Sequence, residues 1–334
     1  MCIRDRSKPH TIPAYKRLGL LIRPRQYHLA FLTLVVGIVV GGTLASLALG
    51  TNKHNVAMSA AKHADPELYE QLAQSNPWHL SDRRNWVNVY FVKKAWFWNS
   101  LCTLLIALTL KPYAGGVRGE GNRTPVPRRV QSLQDLISSK TFLRWAEATL
   151  GWFFFAMWFF GPSLFERYLI NSGAECYMHK RPVERTLCKQ RAWVHAHTHP
   201  ELFAGLPEHV TTARPGWSGG HDVSGHTFIL VLGMLLILEN LVPYLPYVLP
   251  SFSVLRQSIP LSAYAQRDIF RTGSVLRRTV NIAAFSAASL LLMVWGTMLL
   301  ITVVYHHHAY EKISGLLVAL LVWAFMPKEW ALTA

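Results

Sequence analysis

A chain of 334 residues, 51% apolar, carries 34 Lys/Arg against 18 Asp/Glu, a net charge of +16 that in a soluble protein would point to nucleic acid. The distribution excludes that class: the apolar residues fall into blocks of roughly 16 to 25, the length that crosses a bilayer core, and the basic residues cluster in connections beside them. Four cysteines (Cys2, Cys102, Cys176, Cys188), none in a CxxC pair, exclude a disulfide scaffold.

The first apolar block covers about 29–50 and is longer than the core of a signal peptide, so it reads as a retained anchor. Its glycines, Gly37, Gly41 and Gly42, suit close helix contact. The second block covers about 95–110, or starts nearer Trp86, with Lys93 and Lys94 able to snorkel. The third, about 142–161, carries Arg144 and Glu147 three apart on one face, which reads as a structural pair near the interface. Its aromatic run (Trp152 to Phe155, Trp158 to Phe160) reads as a lipid-facing surface. The fourth covers about 226–247, the fifth 280–305 and the sixth 313–326. The expected fold is all-α: a polytopic membrane protein with about six transmembrane helices. A basic segment at 1–28 precedes a membrane domain at 29–334, with one long loop at 162–225.

Six spans put both termini on one side, and charge selects which. Segments 1–28, 111–140 and 248–279 hold seven, six and five Lys/Arg, against four acidic residues in all. Segments 51–94 and 162–225 are nearly balanced, with six against four and seven against six. Both termini are therefore expected in the cytosol, and the long loop on the opposite side. Oxidation of Cys176 and Cys188 is possible there, although a spacing of twelve does not by itself establish proximity. The sequon at Asn122 falls on the cytosolic side and is expected to carry no glycan.

The stretch 219–228, GGHDVSGHTF, is polar, rich in glycine and opens directly into the fourth span. Unpaired N–H groups and the positive dipole end of a helix start favour an anion, and Gly225 would let it approach the backbone. The stretch 305–312, YHHHAYEK, joins spans five and six. Six-span topology brings His226 and His307 to the same face. Two imidazoles at one face suit phosphoester cleavage, one attacking phosphorus or activating water and the other protonating the leaving oxygen. By contrast, His195, His197 and His199 at spacing two read as incidental rather than a dedicated metal set.

HDVSGHTF opening one span and YHHHAYEKISG opening a later one resemble the fat storage-inducing transmembrane protein family in its fungal form. The Ser-Gly-His core is also similar to a motif of the phosphatidic-acid phosphatase type-2-like enzymes. The resemblance implies an endoplasmic reticulum membrane enzyme that cleaves fatty acyl-CoA at its diphosphate, on the lumenal side. The implied products are acyl 4′-phosphopantetheine and adenosine 3′,5′-bisphosphate, with a role in lipid droplet formation and lipid homeostasis. It places the first catalytic histidine on His226 and the second on His307, with His306 and His308 as neighbours in register. His307 is the nucleophile and His226 the acid by analogy with the superfamily.

Ser224, Gly225, Asp222 and Arg214 are the expected substrate-binding residues. Asp222 reads as a cap for span four, and Glu311 either orients His307 or pairs with Lys312. In the long loop the chain departs from the superfamily: neither Arg181-Pro182 nor Arg214-Pro215 has a lysine seven positions ahead of its arginine, where Ala174 and Pro207 stand instead. Arg214 is therefore the candidate phosphate clamp. The expected partners are acyl-CoA and membrane lipids, not nucleic acid, and no cofactor is expected. The competing reading is a non-enzymatic lipid-binding scaffold for droplet formation.

Overall fold

In a computed structural model of the protein, the described residues are 26–51, 65–74, 85–109, 140–157, 162–179, 181–206, 210–242 and 275–328, with isolated positions between 51 and 65. Most of segments 1–28, 111–140 and 248–279, the sequon at Asn122, and Trp158 to Phe160 lie outside them.

The chain is mostly helical. Helix α1 is Gln26–Ala48, and α2 is the short Pro66–Gln74. A π turn, Asn88–Val92, leads into α3, Ala95–Thr109. Helix α4, Lys140–Trp152, continues as a π turn through Phe153–Met157. Helix α8 is Gly225–Leu241, α9 is Val275–Tyr305 and α10 is Ala309–Phe325. Helices thus stand at each of the six expected places. Two of them, 27–48 and 278–305, are long and apolar enough to cross a membrane by themselves, each with mean hydropathy 2.2. The apolar stretches 95–108 and 225–241 are shorter.

The outer faces of these helices stay apolar. Leu34, Leu44, Leu290, Leu300, Leu317 and Leu321 are all exposed, a surface that water would penalise and lipid accepts. Inside, α8 is buried along almost its whole length between α10, α9 and α3, as expected of a helix that is apolar all round. Of the three glycines singled out in α1, Gly42 serves a close approach, since a methyl group there would run into the Val303 side chain of α9, whereas at Gly37 and Gly41 it would meet nothing within 4 Å among the described residues. The π turn before α3 has a packing role, since Trp295 Nε1–H donates to the Phe91 carbonyl at 3.1 Å.

The long loop corrects the all-α expectation. Helices α5 (Leu164–Asn171), α6 (Arg185–Gln190) and the single turn α7 (Pro200–Phe203) alternate with five short strands. Strand β1 (Glu175–Met178) pairs antiparallel with β2 (Arg181–Pro182), matching Tyr177 with Pro182, and with β5 (Gly216–Ser218), matching Cys176 with Trp217. Strand β3 (Val194–His195) pairs with β4 (Thr212–Ala213). Met178, Val194, Phe203 and Ala213 form a small separate core, and Cys176 and Cys188 are joined by a disulfide. Strands of two to four residues are too short to leave an alternation in sequence, which is why the segment read as a plain loop.

Candidate functional site

The helix ends sort into two groups at opposite ends of the bundle. At one end the start of α8 meets the turn between α9 and α10. Ser224 caps α8: its Oγ accepts from Thr227 N–H at 3.3 Å and lies 2.9 Å from Thr227 Oγ1. Asp222, expected as the cap, stands two residues too early, because the helix starts at Gly225. Its own N–H donates to Glu311 Oε1 at 3.4 Å. Ser224 N–H donates to the Glu311 carbonyl at 3.1 Å. The two helices approach this closely because position 315 is glycine. A methyl group there would lie 2.7 Å from the Ser224 carbonyl oxygen, which is backbone and does not yield cheaply.

His307 occupies the turn, in the left-handed region at φ 61°, a conformation uncommon outside glycine. Its Nδ1 lies 3.1 Å from Glu311 Oε2, which also accepts from His308 N–H at 2.9 Å and so closes the first turn of α10. Glu311 is almost fully buried and stands ahead of the apolar run that begins at Ile313. Burial acts to raise its carboxyl. The hydrogen bonds from His307 and from His308 N–H, joined by the positive charge of either ring whenever it is protonated, outweigh that and hold it below the usual carboxylate range. An ionised carboxylate only accepts, so the neutral His307 ring carries its proton on Nδ1 and keeps a lone pair on Nε2. Lys312 does not pair with Glu311. Its Nζ donates to the Val303 carbonyl at 2.6 Å and satisfies the end of α9, and burial pushes its ammonium down to about 8.

His226 sits half-buried in the first turn of α8, two residues beyond Ser224. Next to it Gly225 is exposed, and a side chain there would meet no neighbouring atom within 4 Å among the described residues. The structure therefore gathers Asp222, Ser224 and His307 around Glu311, with Gly225 and His226 following on α8. It does not bring Arg214 to them by any described hydrogen bond or ion pair. Arg214 is exposed in the link between β4 and β5. The rings of His195 and His197 are 5.3 Å apart while His199 turns to Glu201 at 3.2 Å, and among the described residues no group of three or more metal-binding side chains assembles.

Two features escaped sequence reading. One is a row of rings beside the site, formed by Tyr168, His221, Tyr310 and His308. The other, at the opposite end of the bundle, is a buried polar cluster around Glu239. Its Oε1 accepts from Trp323 Nε1–H at 3.1 Å and lies 3.4 Å from Lys328 Nζ and 3.3 Å from His28 Nε2. Arg144 donates to the carbonyls of Pro327 at 2.7 Å and Glu239 at 3.0 Å, and to Asn240 Oδ1 at 3.2 Å. Arg144, read as half of a local pair with Glu147, thus bonds to α8 and to the segment after α10 instead. An acidic residue ending a long apolar run was the available signal.

The sequence profile described as FIT: Fat storage-inducing transmembrane protein matches residues 76–326. The chain is 25% identical over 254 residues to an acyl-coenzyme A diphosphatase of Schizosaccharomyces pombe, covering 74% of this chain and 72% of that one. It is 27% identical over 265 residues to one of Xenopus laevis (79% and 77% covered) and 26% identical over 260 residues to one of Homo sapiens (77% and 74% covered). No solved structure matches it.

Proposed function

Because the chain belongs to the fat storage-inducing transmembrane protein family, we propose that it is a membrane-embedded hydrolase of the diphosphate in fatty acyl-CoA, the activity for which its relatives are named. The observation that carries this reading is the bonded junction of α8 and α10. There Glu311 accepts from Asp222 N–H and holds His307, with His226 in the adjoining helix turn.

In this mechanism the acyl chain lies among the lipids and the diphosphate reaches the start of α8, whose N–H groups favour its charge. His307 Nε2 attacks one phosphorus, and the bond from that phosphorus to the bridging oxygen breaks. His226 gives its proton to that oxygen. Water then attacks the phosphohistidine, His226 takes the water's proton, and His307 is restored. Glu311 stabilises the positive ring during transfer. The products are acyl 4′-phosphopantetheine and adenosine 3′,5′-bisphosphate. The Cys176–Cys188 disulfide supports an oxidising side for the loop, and with the charge asymmetry it supports the endoplasmic reticulum lumen for the site and the cytosol for both termini. Droplet formation and lipid homeostasis follow as consequences of acyl-CoA turnover.

The test is release of adenosine 3′,5′-bisphosphate from oleoyl-CoA by purified protein. Wild type releases it, while His226→Ala and His307→Ala at equal folded amounts do not. Equal behaviour of all three removes the two-histidine site.

One observation favours a second reading, a non-enzymatic neutral-lipid scaffold. Arg214, the candidate phosphate clamp, stands exposed in the link between β4 and β5 and makes no described hydrogen bond or ion pair to the histidine junction. That reading predicts droplet formation intact in His226→Ala.

A further inference from the structure

The row of rings beside the site is built from three separate segments. Tyr168 of α5 meets the ring of His221 edge-on, with centroids 5.0 Å apart. His221 meets Tyr310 at 4.9 Å, and Tyr310 stacks on His308 at 5.1 Å with only 17° between planes. His221 is pinned. Its N–H donates to Ser172 Oγ at 2.6 Å, and its Nε2 lies 2.9 Å from Ser314 Oγ. Ser314 gives its single proton to the Glu311 carbonyl, so Nε2–H of His221 is the donor in that contact. Tyr168 and Tyr310 nonetheless remain 52% and 48% exposed. Tyrosines at a membrane surface commonly anchor in headgroups. These two instead flank a histidine that is bonded to the first turn of α10, the turn whose Glu311 holds His307.

Resting on the diphosphatase reading, we propose that Tyr310, His221 and Tyr168 form the stacking platform for the adenine base of the substrate. The chemistry of acyl-CoA orders its parts. Its acyl chain belongs in lipid and its diphosphate at the histidines, so the adenosine must lie past the diphosphate on the aqueous side, where the exposed rings stand. Flat aromatic rings are the usual partners of a nucleobase face, and rings held in place in advance lose little freedom on binding. The platform gives the site selectivity for a nucleotide leaving group over other lipid diphosphates.

Binding to the purified full-length protein tests it, with adenosine 3′,5′-bisphosphate and inorganic diphosphate as separate probes. Wild type binds the nucleotide more tightly than diphosphate. Tyr310→Ala and Tyr168→Ala each weaken the nucleotide by roughly 5- to 100-fold, the range for loss of one base–aromatic stack, and leave diphosphate binding unchanged. Tyr310→Phe, which keeps the ring, binds as wild type does. The proposal is overturned if the alanine variants weaken both probes alike, if they weaken neither, or if wild type shows no preference for the nucleotide. Turnover of oleoyl-CoA by the same wild-type sample is read separately. A ring-dependent nucleotide preference without turnover leaves the platform standing and removes the diphosphatase reading. Turnover without ring dependence does the reverse.

Discussion

Glu311 holds two segments and one ring at once, and its loss separates these roles. Glu311→Gln keeps the shape but offers an amide where a carboxylate stood, so it no longer stabilises a positive His307 or fixes the proton on Nδ1. The expected result is a fall in kcat of about 100-fold or more, with a smaller change in KM, in an oleoyl-CoA hydrolysis assay. The same substitution reports on pH. The carboxyl is held below its ordinary value of 4.5 in the folded protein, so its contribution to stability is complete above that value and is lost as pH falls through the lower folded one. The melting-temperature difference between wild type and Glu311→Gln should therefore be flat above about pH 5 and shrink below it. A difference that grows on acidification would contradict the ionised carboxylate.

At the scale of elements, what matters at this site is how closely α8 can approach α10. Gly315→Ala places a methyl group 2.7 Å from the Ser224 carbonyl, so the helix start must move. The expected cost is about 1–3 kcal/mol for overpacking, with loss of turnover beyond the loss of folded protein. Gly41→Ala on α1 faces open space and is the control, expected to change neither. A Gly315→Ala enzyme with full specific activity would show that the α8–α10 spacing is unimportant to the site. The mixed helix-and-strand layer at 162–225 has its own staple. Opening the Cys176–Cys188 link, twelve residues apart, is expected to cost that layer about 3 kcal/mol. Faster proteolysis within 162–225 of Cys188→Ser, with the helices intact, is the readout.

Across the whole molecule the two ends of the bundle do different work. One carries the histidines. The other buries Glu239 against Lys328, His28 and Trp323, and Arg144 against α8, which ties the start of α1 and the segment after α10 to the middle of the bundle. Removing one partner of a buried ionic set leaves the others unpaired, so Glu239→Ala should lose about 3–5 kcal/mol. Turnover per folded molecule should stay unchanged, because the cluster lies at the far end of α8 from His226. Thermal unfolding and specific activity, measured on one preparation, separate the two effects.

The sequence by itself determined the class of element and its approximate place. Apolar blocks with charges between them mark the helices, and the alternating direction of those blocks placed the glycine-rich stretch before His226 at the same face as the histidine run at 306–308, where the start of α8 meets the turn between α9 and α10. Helix lengths were less legible: among the described residues α1 and α9 are long enough to cross a membrane alone, while the apolar stretches 95–108 and 225–241 are shorter. The strands of segment 162–225 left no periodicity at their length. Tertiary structure alone decided that Ser224 rather than Asp222 caps α8, that Glu311 turns to His307 while Lys312 turns to Val303, and that Arg144 reaches Glu239 and Asn240. Each is a choice among several polar partners of similar chemistry. Burial makes that choice, because a polar group taken out of water must bond to whatever the packing of distant segments places beside it.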